Sequence, residues 1–103
     1  MGKVIWTKKA VSHLHSIYEY IAHDSHVYAS RFIKVLIKQT KIIEIYPNSG
    51  RMVPEFSDNL IREIIYNNYR IVYRIKDSSK PEILAVMHGS QLIENVFSAD
   101  NNN

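Results

Sequence analysis

The chain has 103 residues, no cysteine and a formal net charge of +3, which favours an anionic partner without identifying one. With 46% hydrophobic and 22% charged residues, it has the composition of one globular domain with a single core and not of a disordered chain. Disulfides and thiolate metal sites are excluded, a reducing cytosol is expected, and no stretch has the length of a signal-peptide core or a membrane span.

The first part of the chain predicts a short strand and two helices. Residues 3–6 form a short β-branched run that Thr7 ends, and Thr7 is a good helix N-cap. Ser25 is a second candidate N-cap. The positions that recur at helical spacing are Ala10, Leu14, Ile17, Tyr18 and Ile21, then Ala29, Phe32, Leu36, Thr40 and Ile43. The second helix is predicted over about 27–46, and Pro47 ends it. Because the two helices are close in sequence, we expect them to pack as an antiparallel hairpin.

The second part of the chain predicts strands. Residues 60–66 and 69–75 flank Asn67-Asn68, a plausible tight turn since Asn tolerates positive φ. Residues 77–81 read as the next turn and 82–88 as a third strand of the meander. A short helical or irregular end follows, so that residues 1–97 form one domain and the polar tail 98–103 frays. The order is β-α-α-β-β-β, an α+β fold with a helical hairpin on one face of a small, mainly antiparallel sheet.

The predicted hairpin register decides which side chains share a face. Pairing across the Asn-Asn turn places Ile64 opposite Ile71, on the side richer in large apolar groups, which we assign to the helix-covered core. Arg70 and Arg74 then lie on the open side, with Glu63 diagonally between them. By pattern alone, a solvated ion-pair group is the favoured interpretation of these arginines.

A functional interpretation of the arginines requires other basic groups near them. A planar guanidinium suits phosphate, and a neutral imidazole can exchange a proton near working pH. In an RNA-cleaving site, an arginine would stabilise the charge that builds on the phosphate and His88 would exchange the proton, whereas a DNA or protein target needs only a positive surface. The sequence has no metal-protease motif, no glycine-rich phosphate loop and only three glycines, so we expect neither a metal nor a cofactor.

Five segments together resemble a known toxin family. They are VIWTKKAVSHL, IYEYIA, YPNSGRMVPE, IREIIYNNYRIVYRI and ILAVMHG, and they extend from Val4 to about Ile93. Their order and spacing are similar to the RelE/ParE superfamily of bacterial toxins from type II toxin–antitoxin pairs. The P-x-x-G-R turn, followed by Y-R-I-V-Y-R and V-x-H-G, resembles the ParE-like branch most.

The resemblance implies a cytoplasmic toxin that a cognate antitoxin neutralises by wrapping a helix and an extended segment over it. ParE-like toxins block DNA gyrase, whereas RelE-like toxins cut mRNA on the ribosome with basic residues of the sheet. Arg70 falls where RelE-like toxins carry an arginine, but the segment after His88 contains no Arg, Lys or Tyr, which argues against cleavage. We therefore predict a gyrase inhibitor. The alternatives are a ribosome-dependent mRNA endonuclease and a protein that keeps the fold and the antitoxin but has lost toxicity.

The resemblance and the pattern together give the candidate residues. Arg51, Arg70 and Arg74 are the target-binding candidates, and Arg70 with His88 would be catalytic only in an endonuclease. An apolar group that the short C-terminal segment can hardly bury alone is the predicted antitoxin contact, and its members are Leu92, Ile93, Val96 and Phe97. A homodimer or a hetero-oligomer with the antitoxin is compatible with the sequence.

Overall fold

The computed structural model describes residues 3–76 and 80–98 and has an α+β fold, as predicted. In chain order its elements are β1 (Ile5–Trp6), α1 (Lys8–Ala22), α2 (His26–Gln39), α3 (Lys41–Ile45), a 3-10 turn (Pro47–Ser49), β2 (Arg51–Met52), β3 (Ile61–Tyr66), β4 (Tyr69–Ile75), β5 (Pro81–His88) and α4 (Ile93–Ser98). The sheet order is β1-β5-β4-β3-β2, with β1 parallel to β5 and the other neighbours antiparallel. The described residues thus add β2 and α3 to the predicted order.

Both predicted N-caps are present. The hydroxyl of Thr7 accepts from the backbone N–H of Ala10 at 3.1 Å and donates to the carbonyl of Ile83 at 2.8 Å, so this cap also ties α1 to the sheet. The hydroxyl of Ser25 accepts from the backbone N–H of Tyr28 at 3.1 Å. These bonds satisfy helix N–H groups that have no partner within the helix.

The second helix is shorter than predicted. It ends at Gln39, and a separate helical turn begins at Lys41, where the sequence predicted one helix over 27–46. The hydroxyl of buried Thr40 donates to the carbonyl of Ile37 at 2.7 Å, and the Thr40 backbone N–H bonds to the same carbonyl at 3.0 Å. A threonine that bonds back to the preceding turn competes with the regular helical ladder, which explains the interruption.

The β3–β4 hairpin confirms the predicted register. Ile64 pairs with Ile71, and Asn67 has a φ of 53°, the left-handed conformation that the turn requires. The face that carries Ile71 packs against α1 and α2, as predicted. Its core comprises Ala10, Ile17, Phe32, Leu36, Ile43, Ile71, Tyr73, Ile83 and Val86.

The opposite face of the sheet is covered by the chain itself, which corrects the expectation of an open face. A second apolar cluster lies there, formed by Val53, Val72, Ala85, Met87, Ile93 and Val96. Ile93 and Val96, predicted to be exposed, are buried because α4 packs on this face, whereas Leu92 is 59% exposed. Phe97 is half-buried against the same cluster, and its ring lies edge-on to Phe56 at 5.8 Å.

Two predicted features fall at the gaps of the described chain. The turn predicted over 77–81 includes residues 77–79, which lie outside the described residues. Of the predicted tail 98–103, only Ser98 is described, as the last residue of α4. Among the described helices, none combines the length and the apolar character that crossing a membrane requires.

Candidate functional site

The turn before β2 positions the first arginine of the site. The buried hydroxyl of Tyr73 donates to the carbonyl of Pro47 at 2.6 Å and accepts from the Gly50 N–H at 2.9 Å. A Cβ atom on Gly50 would lie 2.6 Å from the carbonyl oxygen of Glu63 and 2.7 Å from the Tyr73 hydroxyl, so only glycine fits this close approach. The turn thereby pairs Arg51 with Glu63 across β2 and β3.

Two arginines converge on one buried carboxylate. The side chain of Glu63 has 0% exposure, and its oxygens Oε1 and Oε2 accept from Arg70 Nε and Arg51 Nε, each at 2.6 Å. The terminal nitrogens of Arg70 donate to both oxygens of Glu55, at 2.9 and 2.8 Å. Arg51, Glu55, Glu63 and Arg70 are called the ion cluster below. Its formal charges cancel, which is what burial of ionised groups requires.

The pKa values agree with a fully ionised Arg70–Glu55 pair. The hydrogen bonds that Arg70 donates to Glu55 and, less strongly, to Glu63 raise the pKa of Arg70 above its ordinary value. In return, the hydrogen bond from Arg70 holds the pKa of Glu55 below its ordinary value of 4.5. Each group therefore stabilises the charged form of the other.

The ion cluster corrects the predicted environment of the arginines. Arg70 is buried and not solvated. Glu63 pairs with Val72 and so lies between Arg70 and Arg74 as predicted, but its carboxylate binds Arg70 and Arg51. Arg74 is 44% exposed and pairs with Glu82 at 3.0 Å. It follows Arg70 by four residues along β4, a separation of about 13 Å along the strand.

A pocket of about 410 Å³ lies beside the ion cluster, at the end of the sheet where the β3–β4 turn and the end of β5 meet. The structure brings Arg51, Arg70 and His88 together around it, but not Arg74. The full lining is Arg51, Pro54, Glu55, Ile65, Asn67, Asn68, Tyr69, Arg70, His88, Gly89 and Ser90. Polar donors from three separate parts of the chain therefore surround one solvent-filled space.

His88 enters this pocket from the end of β5. It pairs with Tyr69, whose ring lies edge-on to the imidazole at a centroid distance of 5.3 Å. The Ser90 N–H donates to His88 Nδ1 at 3.1 Å, and the Ser90 hydroxyl oxygen lies 2.7 Å from the same nitrogen. Because Nδ1 accepts, the neutral ring carries its proton on Nε2. Ser90 thus fixes the tautomer of His88.

Comparison with known proteins identifies the family. The family model for the ParE toxin of the type II toxin–antitoxin system parDE matches residues 4–93. The chain belongs to the ParE toxin family. Its fold is similar to a solved structure of the chromosomal ParDE TA system from P. aeruginosa, with a TM-score of 0.71 and 22% identity over 85% of this chain and 96% of that one. Comparison with curated protein sequences gave no match. The predicted family and branch are therefore confirmed.

In this ParE-family toxin, the two pocket arginines differ in what they offer a partner. All three donor nitrogens of Arg70 are bound to carboxylates. The Arg51 side chain is 62% exposed, and no acceptor within residues 3–76 and 80–98 binds its terminal nitrogens. Arg51 is therefore the more accessible of the two guanidinium groups, and Arg70 is held by the fold.

Sequence reasoning missed Glu55 in this toxin. It lies in the turn between β2 and β3, 15 residues from Arg70. Because it is not part of a strand, the alternation of polar and apolar residues does not place it on a face of the sheet. The available signal was an acidic residue at the end of the P-x-x-G-R segment, YPNSGRMVPE, four residues after Arg51. Among the described residues, no three His, Cys, Asp or Glu side chains are placed to hold a metal ion.

The ParE-family toxin also has an apolar groove on its helical hairpin. The groove has a volume of about 390 Å³ and is lined by Val11, Leu14, His15, Tyr18 and Ile33. Two of its lining residues, Leu14 and Ile33, also pack against the core between the helices and the sheet. This groove and exposed Leu92 are separate apolar surfaces outside the pocket.

Proposed function

We propose that this ParE-family toxin inhibits growth by binding DNA gyrase without a chemical step, and that a cognate antitoxin neutralises it. Membership of the ParE toxin family supports the toxin role. The observation that favours binding over cleavage is the state of Arg70, each of whose three nitrogens donates to a carboxylate of Glu55 or Glu63. An arginine in that state supports the architecture of the site, and its charge is already balanced by carboxylates and not left for a reacting phosphate.

RNA cleavage makes demands that this site meets poorly. Charge that builds on a scissile phosphate is stabilised by donors already aimed at it, and a second group must exchange the proton. Three of the five N–H donors of Arg70 are already bound to carboxylates, so a phosphate would compete with Glu55 and Glu63 for this guanidinium. The segment after His88 supplies no Arg, Lys or Tyr as a substitute.

One observation favours the endonuclease as a second candidate. Arg51, Arg70 and His88 line the same pocket, which is the grouping that a RelE-like site would need. The exposed guanidinium of Arg51 and the Nε2–H of His88 are two donors that a phosphate can reach. In that function Arg51 would contact the phosphate. Arg70 would bind Glu63, and Glu63 would hold the Arg51 side chain in place.

The antitoxin is proposed to cover the apolar surface of the toxin. Leu92 is exposed and Phe97 half-buried, so both are available to a partner that packs on the C-terminal helix. Ile93 and Val96 are available only if the antitoxin lifts α4 from the sheet. The substitution Leu92→Asp should weaken antitoxin binding at least 10-fold without changing toxin stability, since the side chain has no core contact to lose. Unchanged affinity in a binding titration would remove Leu92 from the interface.

The target is tested by tightly induced expression in a bacterium with pulse-labelling of DNA and protein synthesis, beside a supercoiling assay with purified gyrase. The informative variant is Arg51→Gln, because Arg51 is exposed, and Arg74→Gln is its matched control outside the pocket. A gyrase inhibitor stops DNA synthesis first and inhibits supercoiling, and Arg51→Gln weakens both effects while Arg74→Gln does not. An early fall in protein synthesis with intact supercoiling would instead establish the endonuclease.

A further inference from the structure

The two carboxylates of the ion cluster are held very differently. Glu63 is fully buried and bound by two arginines, whereas the side chain of Glu55 is 40% exposed, lies in a surface turn and lines the pocket. The side-chain partner of Glu55 is Arg70, which holds it with both terminal nitrogens. Glu55 is thus a partly exposed carboxylate bound to Arg70, and Arg70 is also held by its bond to buried Glu63.

We propose that Glu55 occupies a binding position for an acidic side chain of a protein partner, and that an aspartate or glutamate of the partner takes its place on Arg70. The planar pair of donors on Arg70 already binds a carboxylate through both oxygens, so the geometry of the position is that of the proposed ligand. This inference depends on the proposed function only in taking the partner to be a protein.

The charges favour a singly charged anion such as a carboxylate over a phosphate monoester. With Glu55 displaced, the cluster retains Arg51, Arg70 and Glu63, which leaves one uncompensated positive charge. One carboxylate neutralises that charge, whereas a phosphate monoester carries about −1.5 to −2 at pH 7 and would leave excess negative charge beside buried Glu63. A buried ion group is stable when its charges balance, so the position selects a singly charged anion.

The pocket supplies further contacts for the incoming group. Arg51 and His88 line it, and the Nε2–H of His88 is a donor of fixed tautomer. The turn residues Asn67 and Asn68 complete the rim with amide groups. Because Glu55 has 40% of its side chain exposed, solvent can receive it once it is displaced, so the exchange leaves no buried charge without a partner.

The test measures binding of a short blocked peptide, acetyl-Gly-Glu-Gly-amide, by NMR titration of the arginine Nε–H signals. Glu55→Ala should bind this peptide at least 10-fold more tightly than the unmodified protein, because an intramolecular competitor has been removed. Glu82→Ala is the matched control, since it changes the net charge equally and frees Arg74 instead. It should bind as weakly as the unmodified protein. The Arg51→Gln change in the Glu55→Ala background should weaken binding again.

Two further probes separate the possible ligands. Replacing the peptide glutamate with glutamine should abolish binding, and inorganic phosphate should bind Glu55→Ala more weakly than the glutamate peptide does. Stronger binding of phosphate would overturn the carboxylate assignment. Equal binding by Glu55→Ala and Glu82→Ala would overturn the exchange itself.

A conservative variant covers the case in which Glu55→Ala fails to fold. Glu55→Asp keeps the charge but shortens the reach to Arg70, and it should raise peptide affinity about 3-fold. No increase with this folded variant would equally overturn the exchange. The titration contains no gyrase, so its failure leaves the gyrase proposal standing, and failure of the supercoiling assay leaves the exchange intact.

Discussion

Replacing Arg70 with alanine should destabilise the fold because it leaves a buried carboxylate without its main partner. Glu63 has no exposed side-chain surface and would keep only the bond from Arg51. Removing one partner from a buried pair costs about 3–5 kcal/mol. Because Arg51 stays in place and solvent reaches it, we expect the lower end, about 3 kcal/mol. That is a large share of the roughly 5–15 kcal/mol by which a domain of this size is stable.

The assay is urea denaturation followed by circular dichroism. With an m-value of about 1.5 kcal/mol per M, the midpoint of Arg70→Ala should fall by about 2 M. The matched control is Arg74→Ala, which removes an exposed arginine from the pair with Glu82 and should change the stability by less than about 1 kcal/mol. Both changes remove an arginine from the same strand, so the difference between their stability losses measures the effect of burying the ion pair.

A double variant tests the cause of the loss. Arg70→Met with Glu63→Leu removes the buried pair together and leaves Arg51 and Glu55 exposed enough to be hydrated. Such replacement of a buried ion pair by apolar groups is often neutral or stabilising, so we expect the double variant within about 1 kcal/mol of the unmodified protein. If the double variant is as unstable as Arg70→Ala, the loss comes from packing, and the reasoning about an uncompensated charge is refuted.

Two more predictions follow from the geometry around the ion cluster. Gly50→Ala should lower stability by about 2 kcal/mol in thermal denaturation, since its Cβ would collide with Tyr73, whereas Gly89→Ala, whose Cβ would lie 3.3 Å from the nearest oxygen, should lose much less. A smaller loss for Gly50→Ala than for Gly89→Ala would contradict the close approach. The lowered pKa of Glu55 means that its bond to Arg70 stabilises the fold above pH 4.5 and that this contribution is lost as the pH falls through the lowered value. Glu55→Gln should therefore flatten the acid limb of a stability–pH curve, and an unchanged limb would contradict the assignment.

The hairpin was predictable from the sequence because its determinants are local. Alternation of large apolar residues along two strands fixed which face is buried, and an Asn-Asn turn fixed the register. The result is the observed pairing of Ile64 with Ile71 and the helix cover on the predicted side. The cap residues Thr7 and Ser25 were equally predictable from the sequence. A hydroxyl just before a helix accepts from a helix N–H, and this local bond does not depend on how the helix packs.

The features that the sequence did not predict depend on contacts between distant segments. β2 has only two residues, too few to show alternation, and it exists because Gly50 lets the turn approach Tyr73. The cover of the second sheet face depends on where α4 returns after β5, which periodicity does not specify. The interruption of the helix at Thr40 has a local cause, the bond from its hydroxyl to the carbonyl of Ile37. Threonine makes several kinds of hydrogen bond in helices, so the sequence does not show which one forms.

The ion cluster shows what the family resemblance and the strand pattern leave undetermined about Arg70. The resemblance and the strand pattern both locate this arginine correctly on β4, but its accessibility is decided by Glu55, which comes from a turn that neither feature constrains. Once both carboxylates are counted, Arg70 fixes the position of Glu63, and Glu63 fixes the position of Arg51. The exposed end of this chain of contacts is Arg51 beside His88 in the pocket. Target contact at this site is therefore expected to begin with Arg51, and the proposed displacement of Glu55 would then make Arg70 available.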